Sequence, residues 1–410
     1  MPADAFPPVS VGGGGDGIGT VSGGAAATVA SVYVHAPFCV RRCFYCDFAV
    51  QVRRTGGVDE WLEALAGEVA FVRGEGLFGL ADELSTLYVG GGTPSLLGPE
   101  AMAGLGRVLG PERLRGGGLE WTAEANPESL TPEVALRWRE AGVNRLSLGA
   151  QSFHEPALRW MGRMHGADGA ARAVRRAREA GYENIGIDLI FGLPAHLGRP
   201  WREDLERALE LDVSHISLYG LSVEPATPLG RAVAKGVEAP VDEEGYREEF
   251  LLAAEVLEAA GYAHYEVSNF ARPGAESRHN SVYWTGAPYL GLGNGAHSYT
   301  GHRRNGGGPV RRWNRRDWSA YRNAACSGAS PEEGRESLSV DAVRLERVWL
   351  GLRTTRGLDT AGWKERAREL ARDWRRRGLA DVTDGVVRLT REGWLVMDRL
   401  AVELEATLSP

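Results

Sequence analysis

From Ser31 onward, short apolar runs alternate with amphipathic stretches. The runs are SVYVHAP (31–37), STLYVGGG (85–92), LEWTAEAN (119–126), RLSLGAQ (145–151), NIGIDLIFGLP (184–194) and HISLYGL (215–221). Each has the length of one strand and ends in turn residues, which predicts buried β-strands. Between them lie helical patterns. In VDEWLEALAGEVAFVRG, residues Trp61, Leu62, Leu65, Val69 and Val72 recur at helical spacing. TPEVALRWREAG opens on Thr131 as an N-cap, with Pro132 at the first helical position, and closes on Gly142. GADGAARAVRRAREAG is a third helix of this kind. Strand and helix repeat about six times, which predicts parallel βα units in an α/β protein. Such units build either a partial or complete (β/α) barrel or a doubly wound sheet.

The position of the polar residues favours the barrel. The cysteines follow the first strand and GGGTPS the second; Glu124 ends the third, Gln151 the fourth, and Asp188 lies on the fifth. Barrel sites gather residues from many strand ends around one mouth, whereas a doubly wound sheet concentrates its site at one switch point. The expected architecture is a partial (β/α)6, TIM-like barrel over residues 31–265. A Gly- and Ala-rich tail (1–30) precedes it, too poor in bulky apolar residues to offset its ordering entropy. An irregular connecting region (266–337) and a C-terminal module (338–410) follow. The end of the chain reads as helix, β-ribbon, helix, like a winged helix.

Composition narrows the class. The chain has 410 residues, 43% of them hydrophobic and 25% charged, with a net charge of −7. That balance is ordinary for a globular protein and carries no basic bias toward nucleic acid. From Val340 to Pro410, 14 Arg and Lys stand against 12 Asp and Glu, so the winged-helix pattern reads as structural or as a lid. No run of about 18 apolar residues predicts a spanning helix. No basic start with a compact apolar stretch predicts a secretory signal. The expected compartment is the cytoplasm, with peripheral membrane contact through a partner left open.

Three of the four cysteines fall within YVHAPFCVRRCFYCDF: Cys39, Cys43 and Cys46, spaced C-x3-C-x2-C. Free core cysteines are common singly, not three in eight residues. A structural zinc site wants four ligands, for which His35 is the one nearby addition. An iron–sulfur cubane on three thiolates leaves one iron open to a ligand.

The spacing and its place after the first strand resemble the radical SAM superfamily. In that family the open iron chelates S-adenosylmethionine, and reductive cleavage gives a 5′-deoxyadenosyl radical. The flanking residues are similar to the HemN/HemW branch, the oxygen-independent coproporphyrinogen oxidases and related heme chaperones. The resemblance runs from about residue 31 to 405. It implies a [4Fe–4S] cluster on Cys39, Cys43 and Cys46, supplied by an electron donor. It also implies S-adenosylmethionine contacts from Tyr33, Tyr45, Gly91, Gly92, Thr93, Glu124, Gln151, Arg163 and Asp188.

Two features point to the chaperone side of the branch. The oxidases carry a further cysteine where this chain has Phe48. RHNSVYWTG (278–286) matches an HNxxYW heme motif through His279, Asn280, Tyr283 and Trp284. The resemblance therefore implies heme bound at His279 and passed to acceptor proteins. His297 is a secondary ligand candidate. The arginines of HRRNGGGPVRRWNRRDW (302–318) suit heme propionates. Cys326 has no motif around it and reads as a buried or incidental thiol.

Overall fold

The computed structural model describes residues 26–301 and 308–408. Six parallel strands form its centre: β1 (Ser31–Ala36), β2 (Thr86–Gly91), β3 (Glu120–Ala125), β4 (Arg145–Gln151), β5 (Asn184–Phe191) and β6 (His215–Gly220). They pair in sequence order from β1 to β6. All six lie within the apolar runs. The helices between them include α1 (Val58–Glu75), α2 (Pro132–Ala141) and α3 (Gly169–Glu179), with α4 (Glu243–Ala259) after β6. The Thr131 hydroxyl caps α2 by accepting from the Val134 N–H, and Gly142 closes it in the left-handed conformation.

The strands alternate. Val32 and Val34, Leu87 and Val89, Leu146 and Leu148, and Ile187 and Leu189 are buried in one large core with the helices. The intervening positions carry Tyr33 and His35, Thr86 and Tyr88, Thr122 and Glu124, Arg145 and Ser147, and Ser217 and Tyr219. Successive strand residues face opposite sides, so the inner face of this partial barrel is polar.

Three additions extend the sheet to nine strands. β7 (Ala263–Glu266) and β8 (Asn269–Ala271) form an antiparallel hairpin beside β6, and β9 (Leu290–Leu292) lies parallel to β1 on the other edge. The region expected to connect two domains thus supplies strands to the main sheet. Helix α5 (Arg278–Thr285) lies between these additions in sequence and packs on β2 through His279, its first turn capped by Ser277. Residues 1–25 lie outside the described residues, but Ala27–Val29 pair with Phe78–Leu80.

The C-terminal module holds α6 (Val340–Leu352), α7 (Glu365–Arg376), a three-stranded ribbon, α8 (Arg391–Leu395) and α9 (Met397–Leu408). Its ribbon pairs Ala380–Thr383 with Val386–Leu389, as the helix–ribbon–helix pattern predicts. Trp394 packs edge-on against His264, and its indole N–H donates to the Leu352 carbonyl. One continuous apolar core runs from the barrel helices to Leu404. Among the described residues, no helix is long and apolar enough to cross a membrane.

Candidate functional site at the barrel mouth

At the C-terminal ends of the strands lies one cavity of about 840 Å3. Cys39, Cys43 and Cys46 line it, with Tyr45, Gly91, Gly92 and Thr93 beside them. Glu124, Gln151, Arg163 and Asp188 line the remaining strand ends. Residues spread over 150 positions of sequence are brought together because each parallel strand ends on the same side.

The cysteine loop is fixed by the glycine-rich turn. The Gly92 N–H donates to the Ala36 carbonyl at 2.7 Å and the Thr93 N–H to the Phe38 carbonyl at 2.8 Å. Gly91 has φ +109°, and a Cβ there would lie 2.3 Å from the His35 ring. A Cβ on Gly92 would lie 2.8 Å from the Ala36 oxygen and 3.1 Å from Cys39 Sγ. Only glycine permits both the positive φ and the close approach.

The thiols suit a cluster better than a lone ion. Among the described residues, no three His, Cys, Asp or Glu side chains gather closely enough to share one metal ion. His35, the candidate fourth zinc ligand, has Nδ1 bonded to the Tyr33 hydroxyl and Nε2 to the Ala49 carbonyl. Burial pushes the Cys39 thiol up to about 12 and the Cys46 thiol up to about 11. Such thiols ionise when a bound cation takes their charge. Two donors face the sulfurs. Thr93 Oγ1 donates to Cys39 Sγ at 3.4 Å, and Arg163 Nη1 lies 3.8 Å from Cys43 Sγ.

Arg163 also donates to the Gly149 carbonyl and to Asn126 Oδ1, each at 2.7 Å. Asn126 Nδ2 in turn donates to Thr93 Oγ1 at 3.3 Å. Sequence reasoning missed Asn126. It lies inside TAEANPES, two residues after Glu124, on the cavity side of the strand end.

Glu124 accepts from the Tyr88 hydroxyl at 2.7 Å and from the Gly91 N–H at 3.0 Å. Each oxygen keeps a lone pair for the cavity. Asp188 accepts from Ser147 Oγ at 3.1 Å. Burial, and then the charge of Glu124, push its carboxyl up to about 6. Gln151 has φ +66° where β4 bulges against β5. A non-glycine residue held in that region is a mark of functional sites.

Two expected site residues lie elsewhere. Tyr33 does not line the mouth cavity. It stacks on Tyr88 at 6.1 Å inside the barrel. His279 is 1% exposed and stacks on Tyr88 from below at 5.1 Å. Its Nδ1 is bonded to Thr86 Oγ1 at 2.8 Å and its Nε2 to the Tyr283 hydroxyl at 3.0 Å. Burial lowers the imidazole to about 3. The ring is therefore neutral, the form that ligates heme iron, but both nitrogens are engaged. Ligation by His279 requires the imidazole to give up one of these two partners.

The other heme expectations also shift. Arg311 pairs with Glu336 and Glu346, and Arg312 with Glu75. Arg316 donates to the Asp47 carbonyl. These arginines are committed internally, and residues 302–307 lie outside the described residues. His297 is partly buried and stacks on Trp313 at 6.0 Å, away from the mouth cavity. Cys326 is exposed, not buried.

Comparison with known proteins places this arrangement. The model of the radical SAM superfamily matches residues 33–208. The heme chaperone HemW of Mycobacterium tuberculosis is 38% identical over 370 residues, covering 90% of this chain and 92% of that protein. This chain belongs to the HemW heme-chaperone family. The Bacillus subtilis HemW is 35% identical over 379 residues, covering 89% of this chain and 96% of that protein. Among solved structures, the coproporphyrinogen III oxidase HemN of Escherichia coli superposes with a TM-score of 0.75. It shares 22% identity and covers 94% of this chain and 92% of its own. That likeness concerns the fold: the barrel with its C-terminal module is common to both sides of the branch.

Proposed function

We propose that this protein is a cytoplasmic heme chaperone that binds a [4Fe–4S] cluster and S-adenosylmethionine and passes heme to acceptor proteins. The observation that carries the reading is the convergence of three cysteines and eight expected cofactor residues on one cavity, in a chain of the HemW family.

Cys39, Cys43 and Cys46 would hold the cluster. When bound, a cubane with one open iron coordinates S-adenosylmethionine and supplies it with an electron, received here from an unidentified donor. The residues of this chain do the holding and orienting. Backbone at Gly91 and Gly92 lets the methionine end approach closely, and the free lone pairs of Glu124 accept from its amino group. Arg163 meets its carboxylate with a delocalised cation. Ionised Asp188 accepts from both ribose hydroxyls. Tyr45, partly buried and packed against the cluster of Leu158, Met161 and Ile190, walls the cysteine loop. Heme enters as cargo, and His279 is its ligand once the imidazole has given up Thr86 or Tyr283.

The alternative chemistry is oxidation of coproporphyrinogen. Phe48, which lines the cavity beside Cys46, stands where the oxidases have a cysteine. The test is anaerobic cluster reconstitution, followed by S-adenosylmethionine with either heme or coproporphyrinogen. Stable heme uptake, lost in His279→Ala, with no porphyrinogen turnover is the expected result. Conversion to protoporphyrinogen would refute the chaperone reading. Cys43→Ala should abolish cluster assembly; a normal cubane in that variant would refute the ligand assignment.

A further inference from the structure

The cysteines occupy one part of the mouth cavity, beside β1. At the far end of the parallel run, beyond β6, the cavity becomes an apolar chamber. Phe250, Val267, Trp394, Val396 and Met397 wall it, with Ser268 and Asp398 as polar residues beside them, contributed by α4, the β7–β8 turn and the C-terminal module. Two arginines line this end of the cavity: Arg399, which is exposed and pairs with Glu403, and Arg353 at the end of α6.

Arg353 is fixed by its surroundings. Its carbonyl accepts from the Val267 N–H at 2.9 Å. Its guanidinium lies 5.3 Å over the ring of Trp284, the last residue of the HNxxYW motif. Burial holds the guanidinium below its ordinary range, against the longer-range pull of Glu266 and Asp398. Glu266 instead holds the β7–β8 turn, one oxygen accepting from the Asn269 side-chain amide and the other from the Ser268 N–H. Among the described residues, no carboxylate comes within 4 Å of Arg353. Arg311 and Arg312, more deeply buried than Arg353, each have a direct carboxylate partner. A half-buried cation without an anion is costly. A ligand that brings a carboxylate on a flat apolar body would relieve that cost and fill the chamber. The cavity volume is at the upper end for a single small ligand, which leaves room beside the cofactor.

We infer that this chamber binds the carboxylate-bearing edge of the cargo, with Arg353, backed by Trp284, as the carboxylate-recognising residue. The inference rests on the heme reading, in which the carboxylate is a propionate. It would give the Trp of the heme motif a role that does not depend on His279. It also makes the C-terminal module part of the binding site.

The experiment uses the full-length, cluster-loaded protein. Iron protoporphyrin IX and its dimethyl ester are titrated in parallel, with uptake read from the Soret absorbance. A charge-assisted pair in a partly buried site is worth about ten- to hundredfold in affinity, so the wild type should prefer the free acid by that factor. Arg353→Leu should bind both forms at the level of the ester. Arg353→Lys, which keeps the charge but loses the planar fork, should fall between them. S-adenosylmethionine affinity serves as the control for intact folding. Equal binding of acid and ester by the wild type would overturn the inference, as would a full acid preference in Arg353→Leu. So would a loss confined to S-adenosylmethionine, which would assign Arg353 to the cofactor. If the leucine variant does not fold, the lysine variant decides: an undiminished preference counts against the inference. A wild type that takes up neither form would overturn the heme reading itself, and the inference would fall with it.

Discussion

Arg163 donates to the side-chain oxygen of Asn126 at 2.7 Å, and this fixes the direction of a relay to Cys39. Arginine has no acceptor, so the Asn126 oxygen must face it. The Asn126 NH2 then faces Thr93, whose hydroxyl accepts from it and has its own hydrogen free for Cys39 Sγ. Asn126→Asp keeps the acceptor for Arg163 but offers Thr93 a second acceptor in competition with the sulfur. The cluster should still assemble, with a lower reduction potential, because a donor to a thiolate favours the more negative, reduced state. Loss of one hydrogen bond of roughly 1 kcal/mol corresponds to about 40 mV for one electron. Redox titration followed by electron paramagnetic resonance measures it; an unchanged potential refutes the relay.

In the proposed site, Asp188 should make cofactor binding depend on pH. Its carboxyl is raised to about 6, first by burial and then by Glu124. Below that value it is protonated and loses one of the acceptor positions needed for two hydroxyls. S-adenosylmethionine affinity should therefore rise with pH through about 6, by up to tenfold per unit on the acid side. Equilibrium dialysis at several pH values checks this, and Asp188→Asn should flatten the profile.

Glu266 is fully buried, and burial lifts its carboxyl to about 7 from an ordinary 4.5. Between these values the folded state holds the proton that the unfolded chain has released. Stability from this group is therefore greatest below pH 4.5 and is lost as pH rises through 7, on the order of 3 kcal/mol at most. Glu266→Gln keeps the shape without the titration. Urea unfolding at about pH 5 and about pH 8 should show a smaller difference in the variant than in the wild type.

The Tyr283 hydroxyl occupies His279 Nε2. Tyr283→Phe removes one hydrogen bond, worth about 1 kcal/mol, that holds the imidazole inside the barrel. Heme ligation should accelerate about fivefold in stopped-flow absorbance. His279→Ala should lose the nitrogen-ligated spectrum. A variant pair that leaves both rate and spectrum unchanged would assign the ligand to another residue.

Much of this protein is written along the chain. Strand order, the caps at Thr131 and Gly142, the cysteine spacing and the polar residues at strand ends all follow local rules of period and turn chemistry. Parallel strands all end on one side, so even the mouth of the barrel was legible. Of the expected site residues, the three cysteines and Tyr45, Gly91, Gly92, Thr93, Glu124, Gln151, Arg163 and Asp188 do meet in one cavity.

What the chain could not reveal depends on partners far apart in sequence. Whether Tyr33 and His279 face the mouth or the lumen depends on stacking with Tyr88. Whether an arginine is committed or free depends on carboxylates such as Glu75 and Glu346, brought up by other elements. Asn126 and Arg353 carry no motif. Their roles arise from what lies across from them: Arg163 and Thr93 for one, Trp284 and an apolar chamber for the other. Periodicity determines which face a residue occupies. Only tertiary packing decides which charges are neutralised and which cation is left for a ligand.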